Sequence, residues 1–473
     1  PRPRPTQPMR RTIHLCSLLL LIVLLAACRP PATADLPLSA VATPITPADA
    51  SPAAPAVATA APPTLARSPS PTATPIYTGP LSPACGQQLP ALPAIAATPD
   101  TPPPDTAAVN VLRPLVPETA WPGLERLLDA PGTVGLVAYQ LGQEAEGVYW
   151  NADRPLPLAS VAKVITLIAY AEAVAAGELN PLEQIPLAEL DRFYLPNFDL
   201  GAHRRAVAEL RETGRVFGSE ADPTITLEDV PWMMIRHSSN AAADYLHLRL
   251  GQARLEETIV TLGLAEGHTA PCTFLGQFLI MGNHTRGTAN DRAVLAGYLD
   301  DPAGAAAYAA DAALLADAFS NGAAFRAAEE AWRERTRQPS IDTQRFFAAR
   351  LAPQGTAGDY AALMARLAQN GLSNGDSSYI ARRYLEWPNQ FDANQSWASN
   401  VGYKNGSLPG VLTTVYYAYR WDDPAPVIVV LFYRDLPQDT YRRWRSDLPH
   451  DEFARWLLSD PAAIPALAAV IRN

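Results

Sequence analysis

The sequence predicts an α+β fold: one antiparallel sheet built from both ends of a domain, with a helical subdomain beside it. Three observations carry this. Strand-like stretches rich in Val, Tyr and Leu occur at 133–140 and 147–150, and return only near the C-terminus, at 401–405, 411–420 and 427–434. The residues between them read mostly as helix, and no internal repeat is visible. Composition is uneven, with roughly half of the 47 prolines ahead of Trp121. The folded domain is therefore expected at 121–473, long enough to bury a full core.

The elements follow in order. Met9-Arg10-Arg11 is a positive start, with 1–8 read as upstream sequence, and the apolar run 18–27 is too short to span a bilayer. Residues 1–28 thus read as an export signal. Residues 29–120, rich in Pro, Ala and Thr, are expected to form an extended, disordered tether. A short helix is expected at 123–130, then two strands joined by a polar turn at Gly142-Gln143. A strong helix follows at 159–176 with Ser160 at its start. Residues 191–222 mix loop and helix in no clear order. A helical stretch, 227–250, is broken at His237-Ser238-Ser239-Asn240, and 254–264 is another amphipathic helix. Residues 288–334 are Ala-rich and helical, and 358–369 form a helix. The last two strands flank Asp422-Asp423-Pro424, a turn signal. Helices at 452–458 and 462–471 close the chain.

A net charge of −10 and a sequence pI near 5.3 argue against a nucleic-acid partner. Of the four cysteines, Cys16 lies inside the signal and Cys28 ends it. Cys85 and Cys272 remain, in a compartment where disulfides persist. A bridge between them and two free thiols are both open readings. No Cys-x-x-Cys or His-Glu-x-x-His spacing occurs, so no metal and no cofactor is expected.

Only two of the 37 basic side chains are lysine: Lys163, in Ser160-Val161-Ala162-Lys163, and Lys404, in Lys404-Asn405-Gly406-Ser407. Arginine keeps its proton near neutral pH, whereas a buried lysine can release it. Lys163, three residues after a serine at a helix start, is thus placed to act as a base for Ser160. Ser238-Ser239-Asn240 reads in isolation as a helix cap, and Lys-Asn-Gly as a hairpin turn.

Taken together and in this order, the three motifs resemble those of the serine β-lactamase and penicillin-binding protein superfamily, class A β-lactamases most closely. The resemblance spans about 121–473. Residues 151–160 (NADRPLPLAS) look like the approach to the class A nucleophile, and 233–243 (MMIRHSSNAAA) like the helix break that carries its second motif. Residues 357–364 (AGDYAALM) are similar to the helix after its Ω loop. The resemblance implies a β-lactamase-like fold, with Ser160 acylated, Lys163 as its base and Ser238 passing a proton to the leaving nitrogen. It implies that Asn240 binds the substrate amide and that Lys404 holds the substrate carboxylate and polarises Ser238, with Asn405 and Ser407 also on the substrate-binding side. The backbone N–H groups of Ser160 and Ser407 would form the oxyanion hole. Separately, Leu25-Ala26-Ala27-Cys28 resembles a bacterial lipobox, which implies lipidation of Cys28 and a membrane anchor.

Three departures from the family pattern stand out. Ser239 replaces an Asp and Asn405 replaces a Thr or Ser. The Glu-x-x-Leu-Asn of the class A Ω loop, source of the deacylation base, has no counterpart; its expected place, 273–277, holds no carboxylate. A helical insertion is expected at about 283–350, and its Glu329, Glu330 and Glu334 are the candidates for a replacement base. The expected protein is an exported, membrane-anchored, monomeric lipoprotein that acylates on Ser160 with β-lactams or D-Ala-D-Ala-type peptides. The alternatives are a peptidoglycan D,D-carboxypeptidase and a catalytically silent wall-binding module.

Overall fold

The computed structural model describes Cys85 and residues 106–287, 292–300, 302–336 and 338–471. The expected signal segment, Cys28 and most of the tether lie outside these residues. All described residues belong to one unit, Pro75–Asn473. Among them no single helix is long and apolar enough to cross a membrane.

Ordered structure starts ahead of the expected boundary at Trp121. Helix α1 (Thr106–Leu112), which packs on the helix Ala463–Ile471, leads to α2 (Trp121–Asp129), and Leu112, Val116 and Ala120 along this stretch are buried. The Pro-rich composition of the preceding segment hides this short apolar spacing.

Five strands form an antiparallel sheet: β1 (Val134–Gln140), β2 (Val148–Trp150), β8 (Ala398–Leu408), β9 (Val411–Arg420) and β10 (Val427–Tyr433), in the order β2-β1-β10-β9-β8. As expected, its strands come from the two ends of the domain. β1 and β10 are apolar at nearly every position because both sheet faces are covered. Side chains alternate across a strand, so Val137, Ile428, Val430 and Phe432 enter one core while Leu136, Ala138, Val429 and Leu431 enter the other. The second core is closed by α2, α14 (Pro449–Ser459) and α15 (Ala463–Ile471), which supply Leu124, Leu457 and Leu467. Lys404-Asn405-Gly406, a turn signal when read alone, lies inside β8. The reversal comes later, at Pro409-Gly410, where Gly410 has φ +83°.

The other face carries the helical subdomain. Its central helix is α3 (Lys163–Ala175), packed against α5 (Asp229–Arg236), α6 (Asn240–Leu250) and the helices Gln252–Thr261 and Gly375–Leu385, while α4 (Ala202–Glu212) packs on α5 and α6 and α7 (Phe274–Ile280) packs on α6. Small sheets complete it: β3 (Leu156–Pro157) with β7 (Gln354–Gly355), and β4 (Gln184–Pro186) with β6 (Pro223–Thr226) and β5 (Phe217–Gly218). The expected insertion is helical: Arg292–Gly297, α8 (Pro302–Asn321), α9 (Ala323–Arg335) and α10 (Ile341–Arg350). It packs back through α8 on α7 so closely that a Cβ at Gly276 would sit 2.2 Å from Ala312 O. Further helices are α11 (Ala357–Ala368), α12 (Gly375–Leu385) and α13 (Gln438–Asp447).

Cys85 and Cys272 form a disulfide, with Cα atoms 4.8 Å apart across a separation of 187 residues. Cys272 immediately precedes Thr273, whose side chain caps α7 by accepting from Gly276 N.

Candidate active site

The serine motif sits where three elements meet. Leu158 O accepts from Thr413 Oγ1 of β9 at 2.8 Å, which pins the approach to Ser160 against the sheet. Ala159 then takes a left-handed φ of +48°, a conformation costly for a side-chain-bearing residue and held here by its surroundings. The expected single helix over 159–176 is two pieces: a 3-10 turn, Ala159–Ala162, followed by α3. In a 3-10 turn residues i and i+3 eclipse each other, and Ser160 Oγ lies 3.2 Å from Lys163 Nζ. Gly406 of β8 faces the same turn. A Cβ there would lie 2.6 Å from Ser160 N, so only glycine lets the strand come this close.

The second motif ends the gap between α5 and α6. Ser238 has φ +65°. Ser239 does not face the site: it is fully buried, caps α6 by accepting from Ala242 N, and meets His203 Nδ1 at 3.1 Å. His203 Nε2 in turn lies 2.9 Å from Asp191 Oδ1. A serine suits this position because the cap needs only a short acceptor.

Both lysines are buried and converge on Ser238. Lys163 Nζ donates to Ser238 O at 2.6 Å and Asn240 Oδ1 at 2.7 Å, and lies 3.3 Å from Ser238 Oγ. Lys404 Nζ donates to Ser238 Oγ at 3.1 Å and Asn405 O at 2.7 Å. Burial lowers the Lys163 ammonium from 10.5 to about 7, against the opposing pull of Asp199 and Asp244. Burial, then the neighbouring Lys163 charge, hold Lys404 well below its ordinary value. Ser160, Lys163, Ser238, Asn240 and Lys404 are thus brought into one cluster. Asn405 and Ser407 line the same cavity of about 520 Å³, and Ser407 Oγ meets Tyr441 OH of α13 at 2.9 Å.

The family model described as the β-lactamase enzyme family matches residues 123–449, a span that holds all seven of these residues. The chain belongs to that family. Among solved structures it is similar to the β-lactamase from Sphaerobacter thermophilus DSM 20745, at 17% identity over 72% of this chain and 96% of that one, TM-score 0.42. It is also similar to PBP-A, at 12% identity over 72% and 94%, TM-score 0.42. A third is a β-lactamase from Chitinophaga pinensis DSM 2588, at 13% identity over 72% and 97%, TM-score 0.43. No curated protein matches.

In this β-lactamase family member the wall facing Lys163 is aromatic. The Phe274 ring centroid lies 4.6 Å from Lys163 Nζ, inside the 273–277 segment where a carboxylate is missing. Asp244, buried on α6, holds that wall by accepting from Phe274 N at 2.8 Å and Leu275 N at 2.7 Å. Burial raises its carboxyl to about 7. The insertion glutamates do not fill the gap, because none lines the cavity. Glu329 is fully buried elsewhere, accepting from His284 N at 2.7 Å and pairing with Arg333 Nε at 2.6 Å. Glu330 and Glu334 face outward on α9. Among the described residues the one carboxylate lining the cavity is Asp199, which accepts from Gly201 N at 2.9 Å and His203 N at 2.8 Å. Sequence reasoning missed Asp199, Phe274 and Tyr441. Their roles arise from long-range packing and leave no local spacing to detect. Among the described residues no group of His, Cys, Asp and Glu is arranged to hold a metal.

Proposed function

We propose that this protein is an exported serine hydrolase that forms an acyl-enzyme on Ser160 with β-lactams or D-Ala-D-Ala-type peptides. The observation that carries the reading is the Lys163 amine, buried, brought to about 7, and within 3.3 Å of two serine hydroxyls. A neutral amine has two N–H bonds and one lone pair. Its short contacts to Ser238 O and Asn240 Oδ1 use the N–H bonds, which leaves the lone pair for the Ser160 hydroxyl.

The proposed reaction follows. Lys163 takes the Ser160 proton as Oγ attacks the carbonyl carbon. The oxyanion is met by backbone N–H groups of Ser160 and Ser407, a placement supported by the contact of Gly406 with Ser160 N. The C–N bond breaks and the nitrogen takes the proton of Ser238 Oγ. Ser238 is reprotonated from the Lys163 ammonium, returning the amine to its starting state. Lys404 polarises Ser238 and, with Asn405 and Ser407, holds the substrate carboxylate, while Asn240 receives the acyl-side amide.

Release of the acyl group needs a water activated by a base. Phe274 occupies the wall where the family resemblance implies a glutamate, and Asp199 is engaged by backbone N–H groups. This lining favours slow release, and with it the D,D-carboxypeptidase or penicillin-binding reading over efficient antibiotic turnover. The chain is further proposed to be a lipoprotein anchored through Cys28. The test is to incubate the 75–473 domain with a fluorescent penicillin and follow intact mass. One acyl adduct per chain is expected; its absence, with the fold intact by circular dichroism, overturns the reading.

A further inference from the structure

Among the described residues four arginines line the cavity, Arg205, Arg236, Arg442 and Arg445, against the single carboxylate of Asp199. This occurs in a chain of net charge −10. The four are not equivalent. Arg236 is neutralised by Glu209 at 2.7 Å. Arg442 reaches only Asp439 at 3.9 Å, a carboxylate that is 96% exposed, and the Arg445 guanidinium lies 5.7 Å from the Tyr441 ring centroid. Arg205 donates to the Leu200 carbonyl at 2.8 Å. Neither Arg205 nor Arg445 has a carboxylate within 4 Å among the described residues.

These weakly compensated cations fall in two places. Arg442 and Arg445 stand on α13 with Tyr441, which bonds Ser407. That is the side proposed to take the substrate carboxylate beyond the broken bond. Arg205 stands on α4 and bonds the 197–200 loop. Asn240 Nδ2 reaches the same loop, donating to Phe198 O at 3.4 Å. That is the side proposed to take the acyl chain.

We infer that the site selects acyl donors with two anionic groups, one on each side of the bond Ser160 attacks, and that Arg205 reads the carboxylate on the acyl side. The inference rests on the acyl-enzyme reading above and adds the substrate's charge pattern to it.

The test compares benzylpenicillin with carbenicillin, which differ by one carboxylate on the acyl side chain. Acylation of the domain is timed by intact mass. At low salt the wild-type protein is expected to acylate about two- to fivefold faster with carbenicillin, the upper range of an exposed charge pair. The ratio of the two rates should fall in Arg205→Gln, survive in Arg205→Lys, and shrink as sodium chloride screens the pair. A wild-type ratio of one or less, or a ratio that Arg205→Gln leaves unchanged, overturns the inference. If neither penicillin adds mass, the acyl-enzyme reading falls and this inference falls with it.

Discussion

The acylation rate is expected to track the deprotonation of Lys163. A solvated lysine near 10.5 has about three neutral amines in ten thousand at pH 7. With burial lowering Lys163 to about 7, about half are neutral at the same pH, a gain on the order of a thousandfold in available base. Below pH 7 the amine is protonated, and each further unit removes about nine-tenths of the remaining base. The rate at pH 5 should therefore be about one hundredth of a plateau reached above pH 8. The assay is the rate of adduct formation with benzylpenicillin, by intact mass, from pH 5 to 9. Lys163→Arg keeps its proton over this whole range. It should lose on the order of a hundredfold or more at the plateau, together with the pH step. A flat profile, an inflection above pH 9, or a near-normal rate in folded Lys163→Arg refutes the assignment.

Peptide mapping should place the penicillin adduct on Ser160, and Ser160→Ala should stay folded and unlabelled; an adduct on Ser238 or Ser407 contradicts the reading. The wild-type adduct should persist for minutes or longer, whereas Phe274→Glu, which sets a carboxylate beside Lys163, should shorten its lifetime by a hundredfold or so, the scale of a general base. Rapid multiple turnover of nitrocefin by the unaltered protein would defeat that expectation. Thiol titration of the unfolded, unreduced 75–473 domain should find no reactive thiol. Cutting the bridge by Cys85→Ser should lower the unfolding free energy by up to about 5 kcal/mol, the loop-entropy value for a separation of 187 residues. Two thiols per unreduced chain would rule the bridge out.

The sheet was legible because β1, β9 and β10 are near-continuous apolar runs bounded by turn residues. The break between α5 and α6 was legible because Ser239 is a good N-cap. The lysine economy led to the centre of the site. What escaped has physical reasons. The strand signal at 401–405 stops short of Gly406–Leu408, because Lys404-Asn405-Gly406 carries turn residues; pairing with β9 and the approach to Ser160 keep the chain extended. The 191–201 loop has no period, since its order comes from His203 and Asp199 bonding across it. The buried fate of Glu329 depends on His284 and Arg333, a meeting that only the packing of α9 produces. The wall residue Phe274 reads from sequence as ordinary core.

The Cys85–Cys272 bridge changes how the domain meets a pull on its N-terminal side. Without it, tension along the incoming chain would be taken up at α1. With it, the load is shared through a covalent strut that lands on Cys272, one residue before the cap of α7 and two before Phe274. Phe274 N is held by Asp244, and its ring lies against Lys163. A pull arriving at Cys85 is therefore passed to the segment that forms one wall of the candidate cavity.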